Sequence, residues 1–231
     1  MPRRRARIRT QDQPIERLAV RPMKDTDMIH RRDFLMASLA VTATLQGAAP
    51  SRAAAPVQLT LNDIFIDETS PAFGNPKGNV PIACFFDFQC TYCKHDYPQM
   101  MQTIKADGDI RLILKHWPIF GEASVYAARL SLAAAHTGQY ETVVDTLIRA
   151  TGPLSPARID TLLASVDVDV AKLKADYARY QLTIDDALDR NSAHAAAFKF
   201  PGTPSYIIGQ KSYSGAMSEM RLKTAIDKAR A

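Results

Sequence analysis

Cysteine is scarce in this chain of 231 residues: there are three, an odd number. A disulfide scaffold would use more of them, in even count, so no such framework is present. Two of the three, Cys90 and Cys93, are spaced as Cys-x-x-Cys. One such pair cannot complete a tetrahedral zinc site unaided. His95 and His116, the candidates for the other two ligands, fit no familiar zinc spacing, so neither a metal nor another cofactor is expected. A long apolar run is missing as well; spanning a bilayer takes about 20 such residues. The body of the chain also lacks net positive charge. The formal charge is +5, yet residues 1–55 hold 11 of the 29 Lys/Arg and 5 of the 24 Asp/Glu, leaving 18 against 19 in residues 56–231. Phosphate contact needs a basic patch on the folded body, so nucleic acid is not an expected partner. The hydrophobic share of 46% suits one compact domain, or one domain with an insertion.

The basic N-terminal segment reads as an address. Arg31 and Arg32 precede a short apolar run from Phe34 to Leu45, and Ala53, Ala54 and Ala55 follow. A basic region, a short apolar stretch and a small-residue exit together describe a signal peptide. Arg-Arg-Asp-Phe-Leu is similar to the twin-arginine export motif, with Met36 where Lys is usual. Residues 1–55 are therefore expected to be an N-terminal extension and signal peptide, with translation starting at Met28 or Met23 and cleavage after Ala53 or Ala55. Export to the periplasm is the expected location.

From residue 56 the pattern is β–α–β, a helical block, then β–β–α. Leu59 to Ile66 fits a strand or a helical turn, and residues 70–79 read as loop. Val80 to Phe88 is a nearly continuous apolar run, as in a strand covered on both faces. It leads straight into Cys90-Thr91-Tyr92-Cys93 and a helix to about Lys105, stopped by Asp107-Gly108-Asp109. Ile110 to Trp117 alternates as a second strand. Ala-rich helical patterns then cover 122–136, 140–150, 155–165, 170–180 and 184–197. Strand character returns at Ser205 to Ile208, and Ser218 opens a last helix. The first unit implies parallel strands with a right-handed crossover. The order is that of an α/β, thioredoxin-like fold with an inserted all-helical subdomain: residues 56–121 and 198–231 form the thioredoxin-like domain, and 122–197 the insertion.

This placement gives the cysteines distinct chemistry. A thiolate is the nucleophile in disulfide exchange, and an unperturbed thiol of pKa about 8.5 is only slightly ionised at neutral pH. At a strand-to-helix junction the unpaired N–H groups and the positive end of the helix dipole favour the charged form. Cys90 is thus the attacking thiol, and Cys93, one turn on and shielded by the helix, is the resolving one. Such a pair at the start of the helix in a β–α–β unit is a strong sign of redox function.

Three stretches make the chain similar to the DsbA family of exported thioredoxin-fold oxidoreductases: Phe85 to Cys93, Trp117 to Gly121, and Gly202 to Gly209. The resemblance implies that Pro204 is cis and that Thr203–Pro204 packs beside Cys90, where its backbone pairs with an incoming peptide. It also implies exchange of disulfides with unfolded or cysteine-containing exported proteins, a membrane or soluble redox partner, and a monomer. Two departures stand out. Members of the family often carry a buried acid six residues before the first cysteine, and Cys84 stands there, so proton handling falls to water, Asp87 or another group. Thr91-Tyr92 replaces the Pro-His dipeptide of the strongly oxidising prototype, and a weaker depression of the Cys90 pKa is expected. Thr91, Tyr92, Asp87 and Cys84 are accordingly candidate tuning residues. His95 is expected on the exposed helix face, His116 and Trp117 in strand-end packing, and Met100 and Met101 in the core. Disulfide formation is the leading reading. A reductase or isomerase of the same fold, or a non-catalytic chaperone or binding module with a structural disulfide, are the alternatives.

Overall fold

The computed structural model describes Gln13–Pro14 and residues 59–231, so the export segment read in residues 1–55 lies outside the described residues apart from that dipeptide. One mixed sheet organises the domain. Its strands are β1 (Gln13–Pro14), β2 (Ala72–Gly74), β3 (Val80–Phe86), β4 (Ile110–His116), β5 (Ser205–Ile208) and β6 (Lys211–Ser214), in the order β1-β6-β5-β3-β4-β2. The helices are α1 (Leu61–Phe65), α2 (Thr91–Asp107), α3 (Glu122–Ala134), α4 (Tyr140–Arg149), α5 (Pro156–Ala164), α6 (Val170–Ala197) and α7 (Glu219–Arg230).

β3 and β4 run parallel, joined by α2, and β3 pairs antiparallel with β5. β3 is therefore central, and its apolar run is covered on both faces. Val80, Ile82, Cys84 and Phe86 face the larger core shared with α2, α7 and the inserted helices. Ala83 and Phe85 face the smaller core of Ile64, Phe65 and Phe200. In that register Cys84 lies opposite Leu114 on one side and Tyr206 on the other. Gly108, at φ 75°, ends α2 in the left-handed conformation that glycine adopts without steric cost.

Three sequence expectations are refined. Residues 59–66 form a helical turn rather than a strand, because Thr60 and Asp63 close a capping box around α1. The stretch 70–79, read as loop, contains β2, which pairs antiparallel with β4 at its edge; at three residues it is too short for a visible alternation. The two helical patterns 170–180 and 184–197 are one helix, α6, kinked at Tyr180 (φ −109°, ψ 18°).

Two polar ties fix the insertion and α1 to the sheet. Lys94 of α2 donates to the carbonyls of Leu147, Ile148 and Ala150 at 3.3, 3.5 and 2.7 Å, placing a cation on the C-terminal end of α4. Lys115 of β4 is fully buried and donates to Asp67 at 2.6 Å. Asp67 also accepts from Thr69 and from Arg190 of α6. Removing one member of a buried pair strands the other charge. Asp67→Ala is expected to lower unfolding free energy by about 3–5 kcal/mol in urea titrations; a loss under about 1 kcal/mol would mean that water compensates Lys115.

Candidate active site

Cys90 is the N-cap of α2, a position that usually takes an oxygen-bearing side chain. Its sulfur accepts from the Cys93 N–H at 3.4 Å, and its S–H donates to the Thr203 carbonyl at 3.2 Å. The Thr203–Pro204 bond is cis. The loop before β5 thus stands directly against the attacking thiol. All three cysteines are free thiols.

Exposure does not separate the thiols: Cys84, Cys90 and Cys93 are 3, 3 and 5% accessible. Hydrogen bonding does. The Cys93 thiol, the Thr203 hydroxyl and the N–H groups of Cys93 and Tyr92 favour the Cys90 thiolate, and against the opposing effect of burial they bring its pKa down to about 6. Thr203 Oγ1 is buried with no other hydrogen-bond partner, so it is a donor held ready for the charged sulfur. Cys93 has the opposite environment. Burial pushes its thiol far up, and the neighbouring Cys90 and Cys84 add to the shift. Burial likewise raises Cys84, with the charge of Asp96 contributing.

The candidate tuning residues divide. Thr91 and Tyr92 begin α2 with exposed side chains; the contribution of Tyr92 comes through its backbone N–H. Asp87 is buried, and its carboxylate accepts from Gln89 N (2.7 Å), Ile119 N (2.7 Å), Phe120 N (3.1 Å) and Ser124 Oγ (2.7 Å). With both oxygens engaged, Asp87 clasps the loop after β4 to the cysteine loop. His95 is exposed. His116 is buried and packs on Phe86 and Phe88, and burial lowers its pKa to about 3, so it is neutral. Met100 is core and Met101 borders it.

Two functional neighbours were not singled out in the sequence. Asp96 is buried and lines a small cavity together with Cys84, Cys93, Pro204 and Tyr206. Asp96 lies three residues after Cys93 and so shares its face of the helix, a signal the sequence did contain. Tyr206 needed the β3–β5 register to be placed. On the outside, a groove of about 500 Å³ runs past Tyr92, Gly202, Thr203, Pro204, Ser214 and Gly215. The side chains of Tyr92, Ile119 and Phe120 are 66, 43 and 51% exposed.

A family model described as thioredoxin matches residues 67–228. The chain belongs to the thioredoxin family. No curated protein matches it. Among solved structures, a thioredoxin-like oxidoreductase from Silicibacter pomeroyi is 30% identical with a TM-score of 0.71, over 74% of this chain and 98% of its own. The thiol–disulfide exchange protein alpha-DsbA2 from Wolbachia pipientis is 25% identical with a TM-score of 0.68, over 73% and 90%. The catalytic domain of Proteus mirabilis ScsC, 22% identical with a TM-score of 0.66 over 73% and 93%, shares the fold. The chain thus falls in the general class of thiol–disulfide oxidoreductases.

The Cys90 shift has a consequence for stability. A depressed pKa stabilises the folded, reduced protein fully above the unfolded value of 9.0 and loses that contribution as pH falls through about 6. The disulfide form has no such group. The melting temperature of the reduced protein relative to the oxidised one is therefore expected to rise from about pH 5 to about pH 8. A difference constant over that range would contradict the assigned thiolate.

Proposed function

We propose that this protein is an exported, DsbA-like oxidoreductase that forms disulfides in cysteine-containing client proteins. The observation that carries this reading is the unequal treatment of the two thiols, with Cys90 favoured as thiolate by the start of α2 and Cys93 held protonated by burial. In the oxidised protein a client thiolate attacks the Cys90 sulfur. The Cys90–Cys93 bond breaks, a mixed disulfide forms, and Cys93 leaves and takes up a proton. A second client thiolate then attacks the client sulfur of the mixed disulfide and expels Cys90 as a thiolate. Two electrons pass from client to protein, and a membrane or soluble redox partner removes them to restore the disulfide. The groove beside Thr203–Pro204 suits an extended peptide of low sequence preference.

The proposed direction rests on which form is stabilised. Each unit by which the Cys90 pKa falls favours the reduced protein by about 1.4 kcal/mol, or about 30 mV. The value of about 6 lies between the attacking thiols of thioredoxin, about 7, and DsbA, about 3.5. The absence of a Pro-His dipeptide accords with that intermediate position. Export rests on the Arg31-Arg32 segment, and N-terminal sequencing of the mature protein is expected to start just after Ala53 or Ala55; an intact residue 2 would argue against it.

Equilibration with glutathione is expected to give a reduction potential between about −270 and −120 mV, with catalysis of oxidative refolding of a reduced client. Cys90→Ser abolishes the activity, and Cys93→Ser accumulates mixed disulfides. A potential below about −300 mV with no refolding activity would assign the pair to a structural disulfide instead.

A further inference from the structure

The exchange chemistry leaves one proton without an assigned carrier. When Cys93 resolves a mixed disulfide it must lose its proton, and when it leaves a disulfide it must gain one. Water has little room beside it, because Cys93 is buried and faces, with Cys84, a cavity of about 10 Å³, at the lower limit for a single water molecule. Cys84 is a buried thiol and offers no base. Asp87, the other buried carboxylate near the cysteine loop, is committed to four donors.

We propose that Asp96 is the proton acceptor and donor for Cys93, and that it passes the proton to solvent through His95. Cys93 and Asp96 are at i and i+3 on α2, so their side chains are neighbours on one face of the helix, and both line the same cavity. Asp96 is 3% exposed. Its Oδ2 faces inward, accepting from the Met217 N–H at 2.8 Å and the Tyr206 hydroxyl at 3.4 Å. Its Oδ1 lies 3.0 Å from Nδ1 of His95, whose side chain is 77% exposed. The carboxyl therefore spans the wall between the dithiol and bulk water. The titratable groups around it are Cys93, His95 and Tyr97 on its own helix, Cys84 on β3 and Tyr206 on β5. This places an acid on the helix, lining the same cavity as Cys84 and Cys93.

In the resolving direction Asp96 takes the proton from the Cys93 thiol, the thiolate attacks the Cys90 sulfur, the Cys90–client bond breaks, and the client leaves as a thiolate. The reverse step returns the proton from Asp96 to Cys93. No oxidant beyond the mixed disulfide is involved. This assignment rests on the dithiol reading above.

Mixing the reduced full chain with an equimolar amount of the aromatic disulfide DTNB reads the two thiols separately. Attack by Cys90 releases the first thionitrobenzoate, and resolution by Cys93 releases the second. Asp96→Asn keeps an oxygen to accept from Met217 N–H but removes the proton site. It is expected to reduce the ratio of the second rate to the first by about a hundredfold, and adding Cys84→Asp is expected to restore part of it. An unchanged ratio overturns the proposal. In the unaltered protein the second rate should be nearly flat from about pH 6 to pH 9, as for an internal base. A rise of about tenfold per pH unit would mean that hydroxide removes the proton and would overturn the proposal even if the variant does not fold. Release of only the first thionitrobenzoate by the unaltered protein would instead overturn the dithiol reading, and the relay with it.

Discussion

The contact between the Cys90 sulfur and the first turn of α2 is the interaction on which the rest of the molecule depends. A helix N-terminus leaves backbone N–H groups without partners, and here a thiol stands in the cap position instead of a hydroxyl or carboxylate. The fold is arranged to hold it there. Strand β3 delivers the chain to the start of α2, and the Asp87 carboxylate clasps the preceding turn to the loop after β4. The Thr203–Pro204 loop closes the third side. Each element is positioned by ordinary core packing, and the chemical consequence is a sulfur anion stabilised chiefly by hydrogen bonds.

The same helix creates the asymmetry of the pair. One turn further on, Cys93 faces inward among Phe86, Tyr97, Met100 and Leu114, where a charge has no compensation. An anionic and a protonated thiol on one helical turn suit stepwise exchange, because the anionic sulfur is the better nucleophile and leaving group. The inserted helices are tied to this turn by Lys94, which caps α4 from the residue after Cys93. The insertion is therefore coupled to the dithiol through the backbone of α2 and forms part of its surroundings.

Much of this was legible in the sequence. The continuous apolar run of β3 leading into Cys-x-x-Cys, the stop at Gly108 and the alternation of β4 fix the β–α–β unit by local pattern alone. β2 escaped because three edge residues carry no periodicity, and the kink at Tyr180 in α6 made one helix look like two. Within the site, the Cys-x-x-Cys spacing pointed to Cys90 and Cys93, which stand at the start of α2, whereas Thr203 and Pro204, beside them, were indicated by the family resemblance alone. Asp87 could be placed but its four donors could not, since two come from a loop more than thirty residues away. Tyr206 depended on strand register. Asp96 was within reach, three residues from Cys93 on a helix, but its burial is decided by Met217 and Tyr206, both more than a hundred residues distant.

The central claim is that the fold makes Cys90, and only Cys90, a thiolate near neutral pH. Alkylation of the reduced, folded protein with iodoacetamide, followed site by site by mass spectrometry as pH is varied, tests it directly. The account predicts that modification falls on Cys90 alone, with a midpoint near 6. A midpoint at the ordinary thiol value of about 8.5, or equal modification of Cys90 and Cys93, would contradict it.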